Sequence, residues 1–242
     1  MNAGIQIISV PGLALAFIPA LVVVVILVRW SLDYGNALVG MVRMLGQLLA
    51  IGYLLNLIFA VDAVSIVLIV LSVMVVSAGW IALRNVPGPR PFLYRTALLA
   101  ILCGGGMTFI FITGIVLDPD PWYAPRYTIP LAGMIFAGAM NTISLSGERY
   151  MAESRRGASH EAARNTAFHA ALIPHTNSLF AVGLVSLPGM MTGQILSGTS
   201  PLIAVRYQIM VMCMLYGSAG IAAAVFLTLL GRNRGRLMPS PE

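Results

Sequence analysis

The sequence has no lysine: all 14 of its basic residues are arginine. That absence removes the P-loop, whose lysine grips nucleotide phosphates, and every Schiff-base chemistry, retinal included. Charge of any kind is scarce at 9%, with 8 acidic residues, while 59% of the 242 positions are hydrophobic. A water-soluble globule needs more polar surface than this. The two cysteines, Cys103 and Cys213, fall inside long apolar runs, so packing rather than a disulfide is their expected role. Polar stretches are short as well. The longest, 147–178, is too small to enclose a core, so a single membrane domain over 1–242 is expected. The opening MNAGIQIISV lacks the basic patch of a secretory signal, and Arg29 follows the first apolar run, which therefore reads as a retained span.

What fills the chain is hydrocarbon, with a mean hydropathy of +0.91. Apolar runs of roughly 18 to 24 residues recur along it, each enough for a helix to cross about 30 Å of bilayer core. The pattern predicts an all-α polytopic membrane protein with about seven transmembrane helices, over 8–28, 44–60, 63–83, 96–117, 128–146, 179–196 and 204–230. Alternating spans put Arg29, Arg84, Arg90, Arg95, Arg149, Arg155, Arg156, Arg164, Arg232, Arg234 and Arg236 on one side, with Arg43 near it. The opposite loops hold Asp62, Asp118 and Asp120 against Arg126. By the positive-inside rule the amino terminus is outside and the carboxyl terminus cytoplasmic. The basicity is a topology signal and not a nucleic-acid footprint.

One predicted span stands out. The stretch 179–196, LFAVGLVSLPGMMTGQIL, carries Pro188-Gly189 and Gly193-Gln194 inside it. Pro188 has no N–H for the carbonyl of Leu184, so a helix is expected to break there and leave backbone oxygens free. At membrane depth such backbone is tolerated only inside protein or along a water-filled path, which makes this segment the best candidate for a translocation route. The alternative is a kink that only shapes packing.

Polar groups elsewhere in the spans are uncharged or soft. Met134, Ala137, Asn141, Ser144 and Glu148 follow helical spacing and form a stripe that ends at a carboxylate. Met190, Met191 and Gln194, with Tyr207, Gln208, Met210 and Met214, add thioethers and amides, although methionine in an apolar helix usually fills core. Arg206 should snorkel outward or find an acidic partner. Gly104-Gly105-Gly106 favours close helix approach over a bend. Asp33, Asn36, Gly40, Arg43 and Gln47 share one face of a helix leading into the second span. The loop 118–127 places Trp122 and Tyr123 at the interface with membrane lipid.

In the segment 147–178, Gly157 interrupts, Ser159 caps a new helix and Pro174 ends it. The expected product is a short charged helix hanging from the membrane domain. Its stripe of Ala163, Ala167, Phe168 and Ala171 docks either on a partner protein or under its own bundle. His160-Glu161 opens like a zinc-protease helix, but Arg164 stands where the second histidine is required, so no zinc site follows. His169 and His175 read as solvated or interfacial. No predicted span interior contains histidine, lysine or aspartate, which argues against intramembrane proteolysis.

The stretch IPHTNSLFAVGLVSLPGMMTGQILSGTSPLIAVRYQIMVMCML, from Ile173 to Leu215, resembles the FetB-type permeases of bacterial iron-export ABC transporters, a family with plant relatives linked to aluminium tolerance. The likeness is closest over SLPGMMTGQI (186–195) and RYQIMV (206–211), with GAMNTISL (138–145) as a second segment. Between Glu148 and Ile173 the chain is shorter than the family pattern, and Gly157-Ala158-Ser159 stands where a Gly-Ala-Thr turn is usual.

The resemblance implies a multi-pass permease subunit of the bacterial inner membrane, a homodimer, exporting iron or another metal ion or complex. It binds no cofactor itself; ATP-Mg belongs to a separate ABC ATPase subunit. On this reading Asn141, Ser144, Glu148, Met190, Met191, Gln194, Tyr207 and Gln208 line the substrate path, and Pro188 and Gly189 form its hinge. Arg155, Arg156, Glu161, Arg164 and Phe168 couple to the ATPase. No metal ligand is assigned, because iron prefers carboxylate, imidazole or thiolate donors and these spans offer mostly amides, hydroxyls and thioethers. An ABC permease for an organic solute such as a nucleotide sugar, a secondary transporter using Glu148, and a passive anchor are the alternatives.

Overall fold

The computed structural model describes residues 8–60 and 63–233, and these form two units. Asp62, Arg234 and Arg236, which contribute to the charge bias, lie outside the described residues.

In the first unit, Ser9 Oγ accepts the Gly12 N–H at 3.2 Å and caps α1, Val10–Leu15. A second helix, α2, Ile18–Arg29, starts with Pro19 in its first turn, so the first predicted span is two short helices in series. Asp33 accepts the backbone N–H of Asn36 at 3.3 Å and starts α3, Gly35–Ala60. Asn36, Gly40, Arg43 and Gln47 therefore belong to the same continuous helix as the second span, because no breaker intervenes after the cap.

The second unit is a helical bundle. Val64–Ala82 (α4) leads through a tight loop to α5, Arg90–Ile101. The Arg90 guanidinium donates to the carbonyl of Leu83, closing the end of α4, and Val86 between them is buried against Gly147 and Phe226. A π-helical turn at Leu102–Gly106, then α6, Met107–Phe111, and a second π turn at Ile112–Leu117 extend α5 into one 28-residue crossing. The glycine triplet serves close approach. A Cβ on Gly104 would collide with the backbone of Ala222, and one on Gly105 would sit 3.0 Å from Phe136.

Four helices complete the chain: α7, Pro125–Arg155; α8, His160–Ala181; α9, Gly189–Leu196; and α10, Pro201–Arg232. The fold is all-α, with no strand among the described residues, and six helical stretches there are long and apolar enough to cross a membrane. The sixth predicted crossing, 179–196, is not one helix but the end of α8, a loop and α9. At 31 residues α7 is about 46 Å long, so it outruns a bilayer core of about 30 Å and carries Glu148 to Arg155 beyond the predicted span.

Pro174 does not end α8, which neither stops there nor hangs from the bundle. The helix lies antiparallel to both α7 and α10: His160 meets Tyr150 and Gly231, Leu172 reaches Gly220, and His175 faces Gly138. Its stripe of Ala163, Ala167 and Ala171 is fully buried in this seam, and Phe168 packs against the same core. Small side chains let the three backbones approach, and that packing holds the turn that Pro174 leaves one hydrogen bond short. The stripe is thus consumed within the bundle.

These contacts gather charge at one end. Arg84 and Arg90 sit with the carboxyl-terminal ends of α7 and α10 and the start of α8, where Arg149, Arg155, Arg156, Arg164 and Arg232 lie. Asp118, Asp120 and Arg126 occupy the other end.

Candidate functional site: the broken α8–α9 segment

The helical path breaks at Gly183, six residues before α9, and the left-handed turn there (φ +84°) requires glycine. Pro188 is not the breaking residue. Its φ of −63° and ψ of 143° make it the cap that starts α9, and its carbonyl accepts from both the N–H and the hydroxyl of Thr192. Gly189 is an ordinary first-turn residue, and the chain reverses at Gly183 and, after α9, at Gly198 (φ +93°). Part of the loop's backbone is satisfied locally, since Ala181 O accepts from Leu184, Val185 and Ser186 and Ser186 O accepts from Gly183 at 2.9 Å, but among the described residues no backbone donor meets Leu184 O, the carbonyl that Pro188 was expected to leave free.

Open space flanks this segment. A cavity of about 320 Å³ lies between α7, α8, the loop and α10, walled by Met134, His175, Ser178, Ser186, Met190 and Gln208. A second, of about 220 Å³, continues toward the Asp118 end and is walled by Arg126, Tyr127, Gln194, Tyr207 and Met210. Met134 and Met190 border both, so two thioethers stand at their junction. Met191 lines an apolar pocket on the far side of Gln208, with Cys213.

Two amides here lack partners. Gln208 is 5% exposed and its Oε1 is enclosed without a hydrogen bond; the Oε1 of Gln194 is likewise unsatisfied. Unsatisfied buried acceptors are uncommon, and each has room for a partner such as a water, an ion or a ligand group.

Five of the eight expected path residues, Met190, Met191, Gln194, Tyr207 and Gln208, therefore meet around α9. The structure does not bring Asn141, Ser144 and Glu148 to them. Asn141 and Glu148 are exposed on the face of α7 opposite its buried one. Helical spacing placed the stripe on one face correctly, but the glycine and alanine face won the core.

His175, read from sequence as solvated or interfacial, instead lines the larger cavity and sits 2.9 Å from the Thr142 hydroxyl through Nε2. The overlooked signal was its place inside the motif that starts at Ile173. His160 is structural, its Nδ1 held 2.9 Å from Tyr150 Oη; among the described residues no cluster of three His, Cys, Asp or Glu exists to hold a metal.

At the arginine end, Glu153 holds Arg149 at 2.8 Å and Arg156 at 3.3 Å, and Arg164 lies 3.9 Å from Glu161. Arg155, Arg156 and Glu161 are exposed around the turn at Gly157 (φ +86°), which Ser159 closes by capping α8.

Two of the motifs that carried the family likeness thus wall this site, 186–195 through the loop and α9 and 206–211 on α10, and the third, 138–145 on α7, meets it through Thr142 beside His175. The profile of an uncharacterised protein family, UPF0014, matches residues 10–234. The chain belongs to the UPF0014 family. A UPF0014 membrane protein of Synechocystis sp. is 37% identical over 186 residues, 70% of this chain and 71% of that one. The Escherichia coli relative named "Probable iron export permease protein FetB" is 34% identical over 199 residues, 76% of this chain and 75% of its own. The Arabidopsis thaliana protein ALUMINUM SENSITIVE 3 is 31% identical over 230 residues, 85% and 82% of the two chains. No solved structure matches. UPF0014 is a family of helical membrane proteins with a named permease among its members.

Proposed function

We propose that this chain is the permease subunit of an ABC exporter of a metal ion or metal complex in the bacterial inner membrane. The observation that carries this reading is the pair of cavities along the broken α8–α9 segment, joined at Met134 and Met190. A passive anchor has no use for enclosed, unpartnered amides beside a broken crossing. Iron as cargo comes from the name of the Escherichia coli relative.

The two units act as one permease domain and two copies pair. Energy comes from a separate ATPase subunit, since the chain has no lysine for a phosphate-binding loop of its own. The arginine end is cytoplasmic, and the ATPase docks around the Gly157 turn, on Arg155, Arg156 and Glu161. Docking there pushes on α8, whose far end is the Gly183 break, so the same rod links nucleotide hydrolysis to the cavities.

The test is reconstitution. The chain and the ABC ATPase that co-purifies with it are placed in inside-out vesicles, and iron accumulation is followed with and without ATP. ATP-dependent accumulation that vanishes with a hydrolysis-dead ATPase is the expected result. Iron uptake driven by a proton gradient alone, or no ATPase associating with the chain, refutes the proposal.

A further inference from the structure

We infer that the outward face of α8, together with the exposed stripe of α7, is the surface on which a second copy of this chain pairs. This deepens the permease reading, which has two copies pair, by naming where they touch, and it rests on that reading for the second copy.

Depth comes first. His160, at the start of α8, meets Tyr150 of α7 and Gly231 of α10; Leu172 lies 3.9 Å from where Gly220 would carry a Cβ, and His175 faces Gly138. Gly138 and Gly220 lie well inside helices long and apolar enough to cross a membrane, so the middle of α8 is level with the hydrocarbon. Yet α8 leaves Asn165, Thr166, His169 and Asn177 exposed, and with Ile173 they follow the helical spacing of one face. On α7, Asn141 is exposed next to Thr142, which sits 2.9 Å from His175. Glu148 is exposed two residues before Tyr150, and among the described residues it has no ion pair.

The other outer faces of the bundle are different in kind. Exposed side chains on α4 include Leu68, Ile69, Val73 and Trp80, and those on the 28-residue crossing include Leu99, Leu102, Ile110 and Ile115. Those faces suit lipid. Polar side chains at membrane depth turn instead to protein or to a hydrated gap that protein bounds, so the face of α7 and α8 needs a protein wall opposite it.

Symmetry identifies that wall. The proposed ATPase meets the arginine end, so the cover over the middle of α8 is itself embedded in the membrane and offers polar groups at the same depths. Half a turn about the membrane normal keeps every residue at its own depth, and this face rotated onto itself sets polar levels against polar levels. Beside α8, the outer side of α10 leaves room for close approach. Gly217, Ala224 and Thr228 recur there at helical spacing, and a Cβ on Gly217 would meet nothing within 4 Å. The space at Gly104 is filled by Ala222 of the same chain, whereas no described residue fills that at Gly217, where a second helix fits. The stripe of Asn141, Ser144 and Glu148, which the cavities leave out, then faces the gap between the copies.

The experiment uses the full chain in native membrane vesicles with Cys103→Ser and Cys213→Ser, so that each introduced cysteine is the only thiol. Thr166→Cys, His169→Cys, Ile173→Cys and Asn177→Cys are made singly on the proposed face, and Val73→Cys, Leu99→Cys and Ile110→Cys on the lipid side. Each is treated with copper phenanthroline, which joins cysteines whose Cβ atoms come within about 3.5–4.5 Å, and with a bismaleimide of longer reach. Covalent dimers should form from the face positions, with copper most strongly at the position nearest the axis, and stay at background from the lipid side. Gly217→Leu, whose side chain enters open space in a single chain, should insert normally and lower the cross-linking yield by about tenfold. Dimers joined from the lipid side, no dimer from any face position, or a yield indifferent to Gly217→Leu each overturns the surface. ATP-driven iron accumulation by copies joined through Leu99→Cys would overturn this inference and leave the permease reading standing. Copies that pair through α8 but move no iron with ATP would do the reverse.

Discussion

Replacing Gln208 with leucine should make the protein more stable and less useful. The side chain is 5% exposed and its Oε1 has no hydrogen-bond partner. A buried acceptor left unsatisfied costs about 1–3 kcal/mol, which an apolar side chain of similar length recovers. At about 1.4 kcal/mol per tenfold, the folded population gains a factor of roughly 5 to 150. For a chain of this size, about 2–4 °C in Tm per kcal/mol turns that into an upward shift of ~2–12 °C. Thermal unfolding in detergent reads the first quantity, and vesicle transport with the ATPase reads the second. If the carbonyl is kept for a ligand, Q208L raises Tm while transport falls by an order of magnitude or more. A lowered Tm would mean that the amide is already part of a satisfied network. Unchanged transport would remove the cavity from the path.

Other outcomes follow from single contacts. Gly104→Val should destabilise by about 3 kcal/mol or more, because its side chain would enter the Ala222 backbone rather than a flexible neighbour, and unfolding measurements would show it. Gly183→Ala forces an L-residue to φ +84° at about 1–2 kcal/mol, whereas Gly189→Ala meets nothing within 4 Å and should be neutral or stabilising; equal effects in thermal unfolding would show that the turn at Gly183 does not require glycine. Arg155→Glu should leave Tm unchanged but reduce ATPase co-purification severalfold, since its side chain is exposed at the proposed docking turn.

Much of this fold can be read from hydropathy and punctuation. Ser159 as a cap and Gly157 as an interrupter stand where local chemistry puts them, because both act through bonds within a few residues. The methionine and glutamine cluster around α9 was also legible, its members lying close in sequence or on the face of the next helix. What was not legible depends on competition between faces. Asn141 and Glu148 share a clean stripe, yet Gly138, Ala139, Thr142 and Gly147 on the other side of α7 allow closer approach to α8 and α10, and that face is buried. His175 was misread for the same reason: its surroundings come from Thr142 and Gly138, more than thirty residues away.

Proline misled twice, and the two cases have one cause. The rule concerns a missing N–H, and whether that matters depends on what else holds the turn. In α8, Pro174 is exposed, but the opposite face of the helix is a seam of alanines pressed between two helices and Ser178 Oγ donates to the Pro174 carbonyl at 2.9 Å, so the helix continues. At Pro188 the missing donor is harmless, because the N-cap residue of a helix has no intrahelical acceptor to reach. The chain reverses at Gly183, where Ala181 O and Ser186 O are bonded within the loop, while no backbone donor reaches Leu184 O among the described residues. The argument for a route therefore rests on this carbonyl and on the side chains around it. The side chains there are an imidazole 2.9 Å from the Thr142 hydroxyl, two thioethers at a junction and two amide oxygens without partners, beside a reversal that only glycine adopts without strain.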